Sequence, residues 1–328
     1  MAFKMFWAIA IGCAWGMAWA DENHLEAPKS RASTADNRSR IKLVPRASRK
    51  PQESAPSIRV NVGLTLIPVT VTDPFGAPVS GLTREDFRLF EDGVEQEIQH
   101  FGADDAPLSL GVVFDASRSM TGKLDRSRDA VARFFRTAMP GDEFFLIEFN
   151  DVPRMLSGFT SETEYIEKTL SGIVPKNWTA LLDAVYLGMQ RMNAAKNTRK
   201  ALLILSDGAD NHSRYTESEM RALVVEGDVS IYSIGLVGGL DLFKRHVRVL
   251  RRLAEETGGR LHEVEKLEEL PEAVAKISAT LRNQYILGFA SNNPSNSRLY
   301  RKVEVKLNRN AEGPRFHATW RTGYYTPD

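Results

Sequence analysis

The period of the apolar positions changes twice along the chain. Thr65–Thr72 (TLIPVTVT) is rich in β-branched residues and partly alternates. Phe87–Phe90 and Glu95–Phe101 repeat that signal around the turn clusters Asp73-Pro74-Phe75-Gly76 and Glu91-Asp92-Gly93. These stretches predict short strands, with Val60-Asn61-Val62 opening the series. From Leu108 the pattern becomes continuous apolar runs at Leu108–Phe114, Glu143–Phe149, Ala201–Leu205, Val229–Ile234 and Leu261–Val264. Amphipathic stretches separate them. Leu124–Met139 aligns Leu124, Val131, Phe134, Phe135 and Ala138 on one helical face, and Leu242–Ala254 aligns Phe243, Val247, Leu250 and Ala254. Thr257-Gly258-Gly259 stops the second of these, and Leu267–Asn283 is a last helix with Pro271 in its first turn. Wholly apolar strands alternating with helices predict an α/β domain with a doubly wound, mainly parallel sheet and right-handed crossovers. After Gln284 strand signals return at Tyr285–Phe289, Lys302–Leu307 and Phe316–Tyr325. Neither β piece is large enough to stand alone, so the two are expected to pack together as a small sandwich.

The expected organisation is therefore a β segment over 58–105, an α/β domain over 106–283 and a C-terminal β segment over 284–328. Ahead of these, residues 1–20 carry Lys4, an apolar stretch and Ala18-Trp19-Ala20, the layout of a signal peptide cleaved after Ala20. About 16 apolar residues fall short of the roughly 20 that a spanning helix needs. Cys13, the one cysteine, follows Ala10-Ile11-Gly12, which offers a lipid anchor as the alternative. Cleavage at Ala20 would leave a secreted or periplasmic protein without any disulfide. Residues 21–57, polar and rich in Arg, Lys, Ser and Pro, read as a disordered linker.

Composition narrows the functional classes modestly. The 328 residues are 42% hydrophobic and 26% charged, ordinary for a globular protein, and the formal net charge is +1. Charge alone thus points to neither nucleic acid nor a membrane surface.

Candidate chemistry gathers where the sheet would end. LSLGVVFDASRS (108–119) runs from a buried strand into Asp115, Ser117 and Ser119. Asn177-Trp178-Thr179 precedes a helix beginning near Ala180, and Ser206-Asp207-Gly208 follows the strand at Ala201–Leu205. In an open α/β sheet such loops meet in the crevice at the carboxyl ends of the strands. Their side chains offer oxygen and neither imidazole nor thiolate, which selects Mg²⁺, Mn²⁺ or Ca²⁺ over zinc or copper. Taken singly, Ser119 and Thr179 fit helix caps and Asp207-Gly208 fits a turn. Their coincidence at three element ends carries the argument.

DASRS at 115–119, Thr179 before ALLDAV, and SDG at 206–208 resemble the three-loop metal-ion-dependent adhesion site of von Willebrand factor type A domains. LRRLAEETGGRL (250–261) matches the late segment of that family. The flanking phrases VTDPFGAPVSGLTREDFRLFEDGVEQEIQHF, YILGF and RTGYY look like the related proteins first noted in acidobacteria. The resemblance implies a Rossmann-like domain in which Ser117 and Ser119 bind a cation directly. Thr179 binds it directly or through water, and Asp115 and Asp207 act mainly through water and by orienting the hydroxyls. It also implies a protein partner whose Asp or Glu carboxylate completes the coordination shell. The family often has Gly where this chain has Arg118, and Gly-Gly where it has Asn177-Trp178. Arg118 fits a solvated residue or a pair for a partner's acid. Trp178 fits a partner anchor or packing on the adjoining loop.

The leading expectation is a non-enzymatic adhesion module with no catalytic residues. The alternative is a metal-dependent hydrolase or phosphatase using the same crevice. A dehalogenase-type phosphatase would need a second aspartate where Ser117 stands, and no P-loop, GxGxxG, G-x-S-x-G or HExxH signature occurs. The basic residues Lys244, Arg245, Arg248, Arg251 and Arg252 read as the solvated face of their helix, and His212 as a loop residue.

Overall fold

The computed structural model describes residues 64–103, 106–207, 210–236, 242–292, 300–308 and 316–326. The expected signal peptide and linker, Cys13, Val60–Val62 and Gly208 lie outside the described residues, as do the side chains of Lys244 and Arg245. Among the described residues no helix is long and apolar enough to cross a membrane.

In chain order, β1 (Thr65–Thr72), β2 (Phe87–Glu91), β3 (Val94–Gln96) and β4 (His100–Gly102) come first. The α/β region follows with β5 (Leu108–Asp115), α1 (Leu124–Phe135), β6 (Glu143–Phe149), β7 (Arg154–Thr160), α2 (Thr163–Ser171), α3 (Leu181–Met192), β8 (Arg199–Ser206), α4 (Glu217–Glu226), β9 (Ser230–Leu236), α5 (Leu242–Glu256), β10 (Leu261–Val264) and α6 (Leu270–Arg282). The chain closes with β11 (Gln284–Phe289), β12 (Tyr300–Leu307), β13 (His317–Trp320) and β14 (Gly323–Tyr325).

Six strands form the central sheet in the order β10-β9-β8-β5-β6-β7. All neighbours are parallel except the edge strand β7, which runs antiparallel to β6. Every residue of β5, β6 and β9 is buried, as their unbroken apolar runs require. One core packs α1, α2 and α6 on one face through Val131, Ile166 and Ile277; a second packs α3, α4 and α5 on the other through Val185, Val224 and Leu250. The chain leaves β5 toward β6 on one side and leaves β8 toward β9 on the other. The carboxyl ends of β5 and β8 therefore flank a topological switch point, where α/β folds open a crevice.

The flanking β segments interleave. β1 pairs with β11 and β13, and β11 with β4, in one four-stranded sheet; β12 pairs with β14 and β2, and β2 with β3, in another. Both sheets close on one core built from Ile67, Val69, Leu89, Leu287, Phe289, Val303 and Val305. Neither terminal segment could bury that surface alone. The sandwich is joined to the amino edge of the central sheet: Arg199 Nη2 donates to the Gln284 carbonyl (2.9 Å) and Gln284 Nε2 to the Tyr232 hydroxyl (3.0 Å). The carboxyl edge lies at the opposite end.

Several element boundaries differ from the sequence expectation, with local causes. Glu95–Phe101 is not one strand: β3 and β4 belong to different sheets, with Ile98 buried at the corner. Phe316–Tyr325 likewise breaks at Arg321-Thr322, where Arg321 forms a bridge with Thr257. The helix expected over Leu124–Met139 ends at Phe135, since Pro140 disfavours helix before it and the Met139 N–H turns to Asp142. β7, α2 and α4 carry no clear periodicity in the sequence; α4 buries only Met220 and Val224.

Candidate metal site

β5 delivers Asp115 to the crevice with the whole residue buried. Its two oxygens are held inside the fold, Oδ1 by the Ser117 N–H (2.8 Å) and Oδ2 by the Ser206 hydroxyl at the end of β8. Burial, and next the negative charge of Asp207, push the Asp115 carboxyl up to about 7, against the opposing pull of Ser117 and Ser206. The Ser117 and Ser119 hydroxyls lie 2.9 Å apart, Ser117 buried and Ser119 exposed.

The second loop is stitched to the first through main-chain bonds. The Lys176 N–H donates to the Ala116 carbonyl (2.8 Å), and the Arg118 N–H to the Asn177 carbonyl (3.3 Å). Asn177 takes a left-handed φ of 52°, which asparagine tolerates better than most residues. Thr179 is buried, and its carbonyl accepts the N–H groups of Asn211 (3.0 Å) and His212 (3.1 Å). The third loop is fixed to the start of α3 by two carboxylates: Asp210 accepts the Leu182 N–H (2.9 Å), and Asp183 accepts the N–H groups of Arg214 (2.9 Å) and Tyr215 (3.2 Å).

Asp207 is fully buried and reaches Lys123 across the crevice, with the ammonium 3.0 Å from Oδ2. Its other oxygen, Oδ1, is buried without a hydrogen-bond donor among the described residues. A bare carboxylate oxygen in a dry corner is costly unless something positive meets it. The carboxylates of Asp115 and Asp207, the latter with that oxygen, and the hydroxyls of Ser117, Ser119 and Thr179 are a hard-oxygen donor set of the kind that suits a divalent cation. Among the described residues no three His, Cys, Asp or Glu side chains are grouped to hold a metal.

The structure thus brings the loops of Asp115, Ser117, Ser119, Thr179 and Asp207 to one edge. Arg118 and Trp178 stand exposed on its rim, the latter 61% accessible. Sequence reading passed over Ser206 as a ligand to Asp115, and over Lys123, Asp210 and Asn211. Only Lys123 left a signal, a lone cation just past DASRS on the turn into α1.

Residues 110–209 match the family model of the von Willebrand factor type A domain. No curated protein matches the sequence. Among solved structures, a von Willebrand factor type A protein from Catenulispora acidiphila aligns with a TM-score of 0.49 at 12% identity, covering 80% of this chain and 72% of that one. The vWF domain of the type V pili tip protein Mfa5 from Porphyromonas gingivalis aligns at 0.46 and 14% identity, covering 55% of this chain and 96% of that one. Proximal thread matrix protein 1 of the mussel byssus, in a form with a zinc-occupied MIDAS motif, aligns at 0.49 and 18% identity over 59% of this chain; the alignment spans 50% of that protein.

Proposed function

We propose that this chain is an exported, non-enzymatic adhesion module that captures an acidic group of a protein partner through a divalent cation. Ser117, Ser119 and Thr179 hold the ion, with Asp115 and Asp207 acting through water and by orienting the hydroxyls. Mg²⁺ is the first choice and Mn²⁺ or Ca²⁺ the alternatives, because all donors are hard oxygens. The observation that carries this reading is Asp207 Oδ1, buried without a donor among the described residues in the corner where two serine hydroxyls lie 2.9 Å apart.

Neutral hydroxyls leave a dication under-neutralised, so it favours one further anionic oxygen, and a partner's Asp or Glu supplies it. Asp115 suits a supporting role, since both of its oxygens already accept hydrogen bonds within the fold. Export is supported by the pattern of residues 1–20.

Calorimetry tests the metal: Asp115→Ala should weaken Mg²⁺ or Mn²⁺ binding by roughly 10–100-fold, the usual effect of losing a supporting group. A pull-down from a cell-envelope fraction, run with Mg²⁺ and again with EDTA, tests the partner. Indistinguishable isotherms, or capture indifferent to EDTA, would sink the proposal.

A further inference from the structure

Lys123 has no part in the roles just assigned, yet it sits in the metal corner. It lies on the turn into α1, directly after Gly122, whose φ is 82°. Its side chain is only 23% exposed, and its ammonium reaches Oδ2 of the fully buried Asp207 at 3.0 Å. The contact joins the first loop to the third.

We propose that Lys123 sets the charge of this corner, weakening its hold on the cation while strengthening the cation's hold on a partner's carboxylate. The inference rests on the adhesion-site reading above. Beside a bound dication both carboxylates are ionised, and with one ammonium present they leave one positive charge uncompensated. That excess draws an anionic oxygen from outside. Without the ammonium, Asp115 and Asp207 neutralise the dication by themselves. The metal then binds more tightly and the incoming carboxylate meets a neutral site. In a poorly hydrated corner such charge interactions are screened far less than at the surface. The rim carboxylates Asp151 and Asp210 are engaged by the Asn177 amide and by main-chain N–H groups, and they are unchanged in any comparison at Lys123.

The ammonium also has a task in the metal-free protein, where it is the positive group beside buried Asp207. Lys123→Met should therefore lower the melting temperature in EDTA, and Mg²⁺ should raise it by more than in wild type.

The test uses the full chain as wild type, Lys123→Met and Lys123→Arg. Calorimetry gives Mg²⁺ affinity, and broadening of the acetate methyl signal by Mn²⁺-loaded protein gives carboxylate affinity. Lys123→Met should bind Mg²⁺ about tenfold more tightly and acetate about threefold or more weakly, the direction set by removing a like charge beside the ion. Lys123→Arg should stay close to wild type in both. If Lys123→Met fails to fold, Lys123→Gln serves the same comparison. Wild type that binds Mg²⁺ while the neutral variants bind it no better, or hold acetate equally well, overturns the inference. Wild type that binds no cation overturns the adhesion-site reading itself.

Discussion

The indole of Trp178 and the imidazole of His212 lie nearly parallel, their planes 15° apart and their centroids 6.5 Å apart, while Trp178 stays 61% exposed. The two residues belong to different loops, joined by the Thr179 carbonyl accepting the His212 N–H. Trp178 is thus oriented by its neighbour without being covered by it. A large aromatic held this way on a rim loses little freedom when a partner lands on it.

Trp178→Ala should therefore reduce Mg²⁺-dependent partner capture by about 30-fold, the scale of an interface hot spot, and His212→Ala by less. Both should melt within about 1 °C of wild type, since a side chain this exposed contributes little to the core. Quantified pull-downs beside melting curves check it. A fall in melting temperature matching the loss of capture would make Trp178 a structural residue.

The meeting of these loops was legible in the sequence because their residues mark element ends: Asp115 closes a largely apolar run, Thr179 precedes a helix and Asp207 follows a strand. Such local punctuation survives without tertiary information. The contacts made by Lys123, Ser206, Asp210 and Asn211 were not legible, since each reaches a residue 28 or more positions away. The interleaving of β1 with β11 and of β2 with β12 was expected only as packing, because pairing across about 200 residues depends on the α/β domain returning the chain to its starting edge. The breaks inside Glu95–Phe101 and Phe316–Tyr325 escaped notice because a strand that changes sheets keeps its strand composition through the corner.

Gly259 shows how tightly that edge is built. A Cβ at this position would lie 1.9 Å from the Ile231 carbonyl oxygen, a main-chain atom of β9 that cannot turn aside. Gly259→Ala should cost about 3 kcal/mol or more, with loss of soluble protein. Gly81→Ala is the control: its φ of 79° lies in the left-handed region that strains any L side chain, yet nothing lies within 4 Å, so the cost should stay near 1–2 kcal/mol. Urea midpoints of the two variants separate steric overlap from backbone strain.

Acid should loosen the other side of the same edge. Burial alone would raise the Asp142 carboxyl, but Arg282 and the N–H groups of Met139 and Leu108 outweigh it and hold the pKa below its ordinary 3.8. A depressed folded pKa stabilises the fold above the unfolded value and is lost as pH falls through the folded one. Melting temperature should show no loss from this group down to about pH 5, then decline below about pH 4. Asp142→Asn should be less stable at neutral pH, by about 2 kcal/mol, with a lower melting temperature and a shallower acid decline. An acid limb identical to wild type would remove Asp142 from the account.

Asp207 should oppose stability and metal binding to one another. Fully buried, with one oxygen lacking a donor among the described residues and the other on Lys123, it burdens the metal-free fold. Asp207→Asn removes that charge at nearly constant volume, and the 23% exposed Lys123 ammonium can still reach water. In EDTA the variant should melt at or above wild type. A cation binding only the folded state stabilises it by about 2.7 kcal/mol at a hundredfold excess over Kd. For a chain of this size that gain raises the melting temperature by several degrees. Wild type should show this rise with Mg²⁺ and Asp207→Asn should lose most of it, so the two melting curves change order between EDTA and Mg²⁺. Curves that keep the same order in both buffers would mean that Asp207 is a structural carboxylate satisfied by Lys123 alone.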